Sequence, residues 1–171
     1  MKTIRNYLVL LFMFLMVLCS NAQDGISVSV LQDFKLGLGL DKEHNGGKSV
    51  MDLIVKVNME GKQFEYYYFA MQVQYERANL QSGYFSRYGV NAIWNLNSLL
   101  VPKLKLGFGI GLHMIERPNT GGMGSYSGTL ELSYPITKKL ALIVNNEWLR
   151  RPDLVTPKTG YNLSGGLTYK F

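Results

Sequence analysis

Along most of the chain, apolar and polar residues alternate with a period of two, the pattern of a strand with one greasy face and one polar face. The C-terminal segment shows it most cleanly: Tyr161, Leu163, Gly165, Leu167, Tyr169 and Phe171 alternate with Asn162, Ser164, Gly166, Thr168 and Lys170. Leu104, Leu106, Phe108, Ile110, Leu112 and Met114 alternate in the same way with Lys105, Gly107, Gly109, Gly111 and His113. From Gln23 onward no stretch keeps apolar residues at helical spacing over about 11 positions. Eight alternating runs stand at 25–40, 50–59, 63–76, 83–96, 103–115, 123–134, 139–150 and 160–171. An even number of antiparallel strands can close on itself. The connections also alternate in kind. Residues 60–62, 97–102 and 135–138 read as tight turns, and the polar segments 41–49, 77–82, 116–122 and 151–159 as longer loops. The expected fold is all-β: a closed antiparallel barrel of eight strands with long loops at one end and short turns at the other, as a membrane-spanning barrel requires.

The first 22 residues break this pattern. Lys2 and Arg5 precede an apolar run from Tyr7 to Cys19, followed by Ser20, Asn21 and Ala22. These are the charged start, apolar middle and small-residue end of a secretory signal, with cleavage expected before Gln23. The run is short of the ~20 residues that span a bilayer as a helix. The expected organisation is therefore a signal peptide over 1–22 and one barrel domain over 23–171. Cys19 offers a lipid-attachment alternative, but the preceding Leu18 is bulky where such a site needs a small residue. If cleavage falls before Gln23, the mature chain has no cysteine, which excludes disulfides, thiol catalysis and cysteine-held metal.

Composition points the same way. The charged fraction is 18%, below the ~25% of ordinary soluble domains, while 18 glycines and 11 tyrosines are many for 171 residues. Without Lys2 and Arg5, sixteen basic residues stand against twelve acidic ones, dispersed along the chain. Nothing in that distribution calls for nucleic acid.

Alternation alone also fits a soluble lipocalin-like periplasmic binding barrel with its apolar face inward, so the contents of the polar face decide. Gly37, Gly39, Gly89, Gly107, Gly109, Gly111 and Gly166 fall there with serines and asparagines. Small residues suit a crowded interior, whereas bare glycine backbone facing water would waste strand propensity. On the apolar face, aromatic residues gather near the run ends, as interfacial belts require. With both termini periplasmic, Tyr75, Tyr84, Tyr126, Trp148 and Tyr161 fall at the outer rim, and Trp94, Tyr134, Tyr169 and Phe171 at the inner rim.

The segment from Gly160 to Phe171, ending in Phe, resembles the closing strand of small Gram-negative outer-membrane barrels, and the turn from Tyr134 to Leu142 is similar to their periplasmic turns. The resemblance, to barrels of the OmpA/OmpX type, implies a cell outer-membrane location and assembly through the terminal Phe. Because the chain stops at Phe171, no periplasmic domain is expected. The resemblance transfers no functional residue.

In an eight-stranded barrel the lumen is just wide enough for side chains. Asp33, Asp52, Glu76, Glu131 and Glu147 are expected there, with Lys35, Lys56, Arg87, Lys105 and Lys170 as paired partners. The expected role is that of a non-enzymatic structural or interaction component, with outer-membrane lipid and another outer-membrane protein as partners. No cofactor, metal, small-molecule substrate or catalytic residue is assigned. Alternatives are a small channel or transporter, and a lipid-modifying enzyme. The latter would need His113 with Ser125 or Ser127 and a carboxylate at the outer rim. Asp41, Glu43 and His44 are close enough in sequence to hold a metal, but read better as a solvated loop. Gly46-Gly47-Lys48-Ser49 matches the end of a phosphate-binding loop, yet Lys42 stands where Gly is needed. The glycines of Gly107-Phe108-Gly109-Ile110-Gly111 sit at period two within a strand and are no dinucleotide fingerprint.

Overall fold

The computed structural model describes residues 25–81, 83–97, 103–118, 121–154 and 159–171, excluding the side chains of Glu43 and His44. The leader 1–22, the Gln23 cleavage point and Cys19 lie outside the described residues. Eight strands, β1 (Ile26–Asp33), β2 (Asp52–Glu60), β3 (Tyr67–Leu80), β4 (Gly83–Asn97), β5 (Lys105–Glu116), β6 (Met123–Pro135), β7 (Leu140–Arg150) and β8 (Thr159–Lys170), pair each with the next. β8 returns to β1, with Ser27 opposite Lys170 and Asp33 opposite Ser164, closing an antiparallel barrel with no free edge.

The expected alternation holds strand by strand. In β3, Tyr68, Ala70, Gln72, Gln74, Glu76 and Ala78 are buried inside, while Phe69 and Tyr75 are exposed outside. In β5, Phe108, Ile110 and Leu112 face out, at 44%, 74% and 60% exposure, and Gly107, Gly111 and His113 face in. Leu167 is likewise outward and Leu106 is half-exposed on the same face. The lipocalin-like arrangement, with these side chains around an inner cavity, is thereby overturned.

Boundaries differ in three places. The first run ends at Asp33, not residue 40: Asp33 Oδ1 accepts from the Leu36 amide at 2.8 Å and caps a short helix, α1 (Phe34–Gly37). A second single turn, α2 (Lys42–Asn45), follows. Gly37 and Gly39 consequently lie in this outer connection and not on the lumen face. Gly39 has φ +67°, a left-handed conformation that only glycine adopts freely. The anticipated loop at 77–82 is strand as far as Leu80, because β3 continues to that residue and pairs it with Gly83. Gly83, at φ +108°, allows so tight a reversal. At the opposite end, the β2–β3 connection is wider than the three residues expected: β3 begins only at Tyr67, and the Phe64 amide donates to the Tyr67 carbonyl at 2.9 Å.

The aromatic residues assigned to the two rims are all outward. Trp148 and Tyr161 meet edge to face at one end, with centroids 5.9 Å apart. At the other, Phe64, Tyr67, Phe69 and Trp94 form a connected cluster, Phe69 stacking on Trp94 at 5.9 Å. Two aromatics break ranks. Phe85 and Tyr68 share register with lumen residues and are 3% and 4% exposed.

Candidate functional site

The interior is the part of the molecule where chemistry is concentrated, and it is organised in levels. At the mouth expected to face outward, Ala78, Phe85, Ile115 and Leu149 form an apolar plug, with Leu36 of α1 and Leu80 packed on it. Arg117 and Arg151 lie over the Phe85 ring, 5.6 and 4.5 Å from its centroid. Asp153, in the β7–β8 connection, ties them together: Arg151 donates to both its carboxylate oxygens at 2.8 Å, and Arg117 Nε donates at 2.9 Å. Burial would raise the Asp153 pKa, but the hydrogen bonds and charges of Arg151 and Arg117 outweigh it and hold the carboxyl below its ordinary range. The outer connection folds onto this mouth. Asn45 is fully buried and its Oδ1 accepts from the Gln81 amide at 2.9 Å.

Beneath the plug lies Arg87, wholly buried. Its Nε donates to Glu76 at 2.6 Å, and its two terminal nitrogens form a bidentate pair with Glu147 at 2.8 and 2.7 Å. This fork geometry is what a guanidinium provides and an ammonium does not. Lower down, Lys56 donates to Glu131 at 2.6 Å, and a relay of amides runs from Gln74 through Asn91 and Gln72 to Asn58 and Glu131. At the mouth where β1 begins and β8 ends, Lys170 donates to Glu60 at 2.6 Å and Ser29 bonds Thr168 at 2.8 Å.

Of the ten charged residues expected in the lumen, Glu76, Arg87, Glu147, Lys56 and Glu131 join in ion pairs with one another, and Lys170 pairs with Glu60. Lys35 is exposed on α1 and does not enter, because the chain leaves the strand at Asp33. Asp33 caps α1 instead of meeting a base. Asp52 is fully buried, with the Glu76 carboxyl and not a base as its side-chain neighbour. Lys105 has an aromatic partner, its ammonium lying 5.2 Å from the Tyr68 centroid. Glu60 was missed because the following Gly61 suggested a turn, although its even spacing from Asp52 and Lys56 places it on the lumen face. Asp153 carried no signal, since only the folded barrel brings residues 117 and 151 together.

His113 does reach a serine: its Nε2 lies 2.8 Å from Ser127 Oγ. It is 4% exposed inside the barrel beneath the plug, not at the rim, and Glu147 approaches the same nitrogen at 3.6 Å. Nδ1, which an orienting carboxylate would hold in a nucleophilic triad, has no hydrogen-bond partner. Ser125 donates to the Arg150 carbonyl and does not bond His113. The arrangement is a lumen hydrogen bond without access for a substrate. Among the described residues there is also no cluster of three or more groups able to hold a metal. The Asp41, Glu43 and His44 grouping includes two side chains outside the described residues.

A closed eight-stranded sheet with outward aliphatics, aromatic ends and a mainly polar interior defines a small transmembrane β-barrel fold. No family model and no curated protein matches the sequence. Among solved structures, the chain is similar to a de novo designed transmembrane β-barrel, with a TM-score of 0.56 and 16% identity over 86% of this chain and 95% of that one. It is also similar to the Yersinia pestis outer membrane protein Ail in a phospholipid bilayer nanodisc, with a TM-score of 0.55 and 14% identity over 86% of this chain and all of that one. At such identities the likeness is one of fold.

Proposed function

We propose that the chain is an integral protein of the bacterial outer membrane, exported on a leader cleaved before Gln23, and that its barrel is a non-enzymatic structural or interaction component. The lumen, packed with side chains from the Phe85 plug down to the Lys56–Glu131 pair, carries this reading. Arg87 is clamped between Glu76 and Glu147, Lys56 is held by Glu131, and Ala78, Phe85, Ile115 and Leu149 pack together above them, an arrangement that favours a structural barrel over a conducting one. A buried His113 and Ser127 offer no exposed nucleophile for lipid chemistry.

With the centre and upper half of the lumen occupied by structure, the surfaces open to a protein partner are the lipid-facing flank and the outer connections, of which residues 34–51 are the longest. Lipid is then the barrel's solvent, and another outer-membrane protein against one flank is the partner class that fits. Planar-bilayer recording of the purified barrel tests the reading directly. Conductance at background supports it, and stable unitary currents overturn it in favour of a channel. Extraction in mild detergent with identification of co-purifying membrane proteins tests the partner, and N-terminal sequencing of the mature protein tests cleavage before Gln23.

A further inference from the structure

Below the Lys56–Glu131 pair the interior is no longer filled. A cavity of about 130 Å³ opens at the mouth where β1 begins and β8 ends, lined by residues of all eight strands and of the β6–β7 turn. Its walls divide by chemistry. Tyr68, Ala70 and Ile93 make the β3–β4 wall apolar and Ile143 stands across the lumen on β7, while Lys105, Lys138 and Lys170 supply positive charge, with Glu60 and Glu131 as the acids. Both acids are already engaged. Glu60 Oε2 accepts from Lys170 at 2.6 Å and Gln63 at 3.3 Å, and Glu131 accepts from Lys56 and Gln72. Lys105 is left half-buried with no carboxylate within 4 Å among the described residues: its ammonium lies over the Tyr68 ring and meets the charge of Glu60, already held by Lys170, only at longer range. A ring quadrupole compensates a desolvated ammonium only in part.

A partly desolvated cation beside an apolar wall, in a pocket open to solvent, is the complement of a small amphiphilic anion. We propose that this chamber binds an organic anion, a carboxylate or phosphate group with a short apolar body, the charged group at Lys105 and the body against Ile93 and Ile143. Lys138, on the turn at the rim, adds positive field at the entrance without closing it. The geometry suits one anionic group and excludes a long chain, because the Lys56–Glu131–Gln72 cluster forms the roof. The proposed membrane reading enters only in naming the periplasm as the compartment this mouth faces.

The test uses the full mature barrel in phosphatidylcholine nanodiscs, with methyl NMR signals of Ile93 and Ile143 followed during titration with hexanoate, and with hexanol as the neutral counterpart. Saturable shifts at Ile93 and Ile143 with hexanoate, absent with hexanol and absent at Ile110 on the lipid face, are expected. Inorganic phosphate should compete for the charged half of the site. Lys105→Met should weaken hexanoate binding about tenfold, the loss of one charge-assisted contact. Lys35→Met, exposed on α1 at the opposite mouth, should leave it unchanged. Nanodiscs containing phosphatidylglycerol separate the sources: Ile93 and Ile143 signals shifted before any titration assign the anion to a lipid headgroup, unshifted ones to a soluble solute. Equal responses to hexanoate and hexanol, or hexanoate affinity unaltered by Lys105→Met, overturn the inference. Should Lys105→Met not fold, the wild-type comparison of hexanoate with hexanol decides alone. A barrel that inserts and does not bind overturns this inference only, whereas one that does not insert overturns the membrane reading.

Discussion

Arg87 shows how a charge survives in so dry a place. Each guanidinium edge meets a carboxylate, so desolvation is offset by three directed hydrogen bonds. Arg87→Met would remove the cation and leave Glu76 and Glu147 buried without a base, costing about 3–5 kcal/mol in chemical unfolding from micelles. Arg87→Met combined with Glu76→Gln and Glu147→Gln should recover much of that loss, since it is uncompensated charge and not lost volume that destabilises. Asp153 gives a prediction with a sign. Its folded-state pKa lies below the ordinary value, so its contribution is complete above the ordinary carboxylate range and disappears as pH falls through the lowered value. The unfolding midpoint of Asp153→Asn should therefore lie below wild type at neutral pH, with the two converging in strong acid. A constant difference at all pH values would contradict the clamp. Much at this scale was legible: parity alone placed Arg87, Glu147, Lys56 and Glu131 inside. Pairing was not. Nothing in the sequence tells that Lys105 turns to Tyr68, or that Asp33 serves a helix and not a base, because those choices depend on strand stagger and on where β1 stops.

Among the elements, the strands followed from periodicity while their ends followed from turn chemistry, and there the reading was weakest. The polar stretch 77–82 looked like a loop because Arg77, Asn79 and Gln81 are hydrophilic; in fact Arg77 and Asn79 are outward strand residues. Arg77 lies over the Tyr84 ring at 5.1 Å at the outer rim, where a polar group meets headgroups and not hydrocarbon. The helical turns at 34–45 are too short to show a period of their own. Glycine position also sorts by element. A Cβ on Gly111 of β5 would lie 2.8 Å from Ser127 Oγ and collide with Asn91 and His113 as well, whereas one on Gly128 of β6 would meet nothing within 4 Å. Gly111→Ala should lower stability by about 1–3 kcal/mol through overpacking, and Gly128→Ala should be neutral or slightly stabilising. Equal effects in an unfolding titration would show that the small residues do not serve a crowded lumen.

For the molecule as a whole, the inside-out distribution of polarity is the governing fact: the buried set is dominated by polar and charged side chains, and large aromatics and aliphatics cover the exterior. In water this arrangement would expose a continuous apolar belt; in a bilayer it meets its solvent, and closure leaves no backbone group unpaired at an edge. Fold class, strand number and the outward face were readable from the sequence because all three rest on the period of two. The apolar plug and the open lower chamber were not, since they arise where inward residues from distant strands converge. The most direct test places spin labels singly at Ile110, Leu167 and Thr129 in bilayer-reconstituted protein and compares collision with oxygen against a water-soluble nickel chelate. Oxygen should dominate at Ile110 and Leu167, with Thr129 shielded from both. Chelate-dominated collision at Ile110 and Leu167, with Thr129 open to oxygen, would contradict the account.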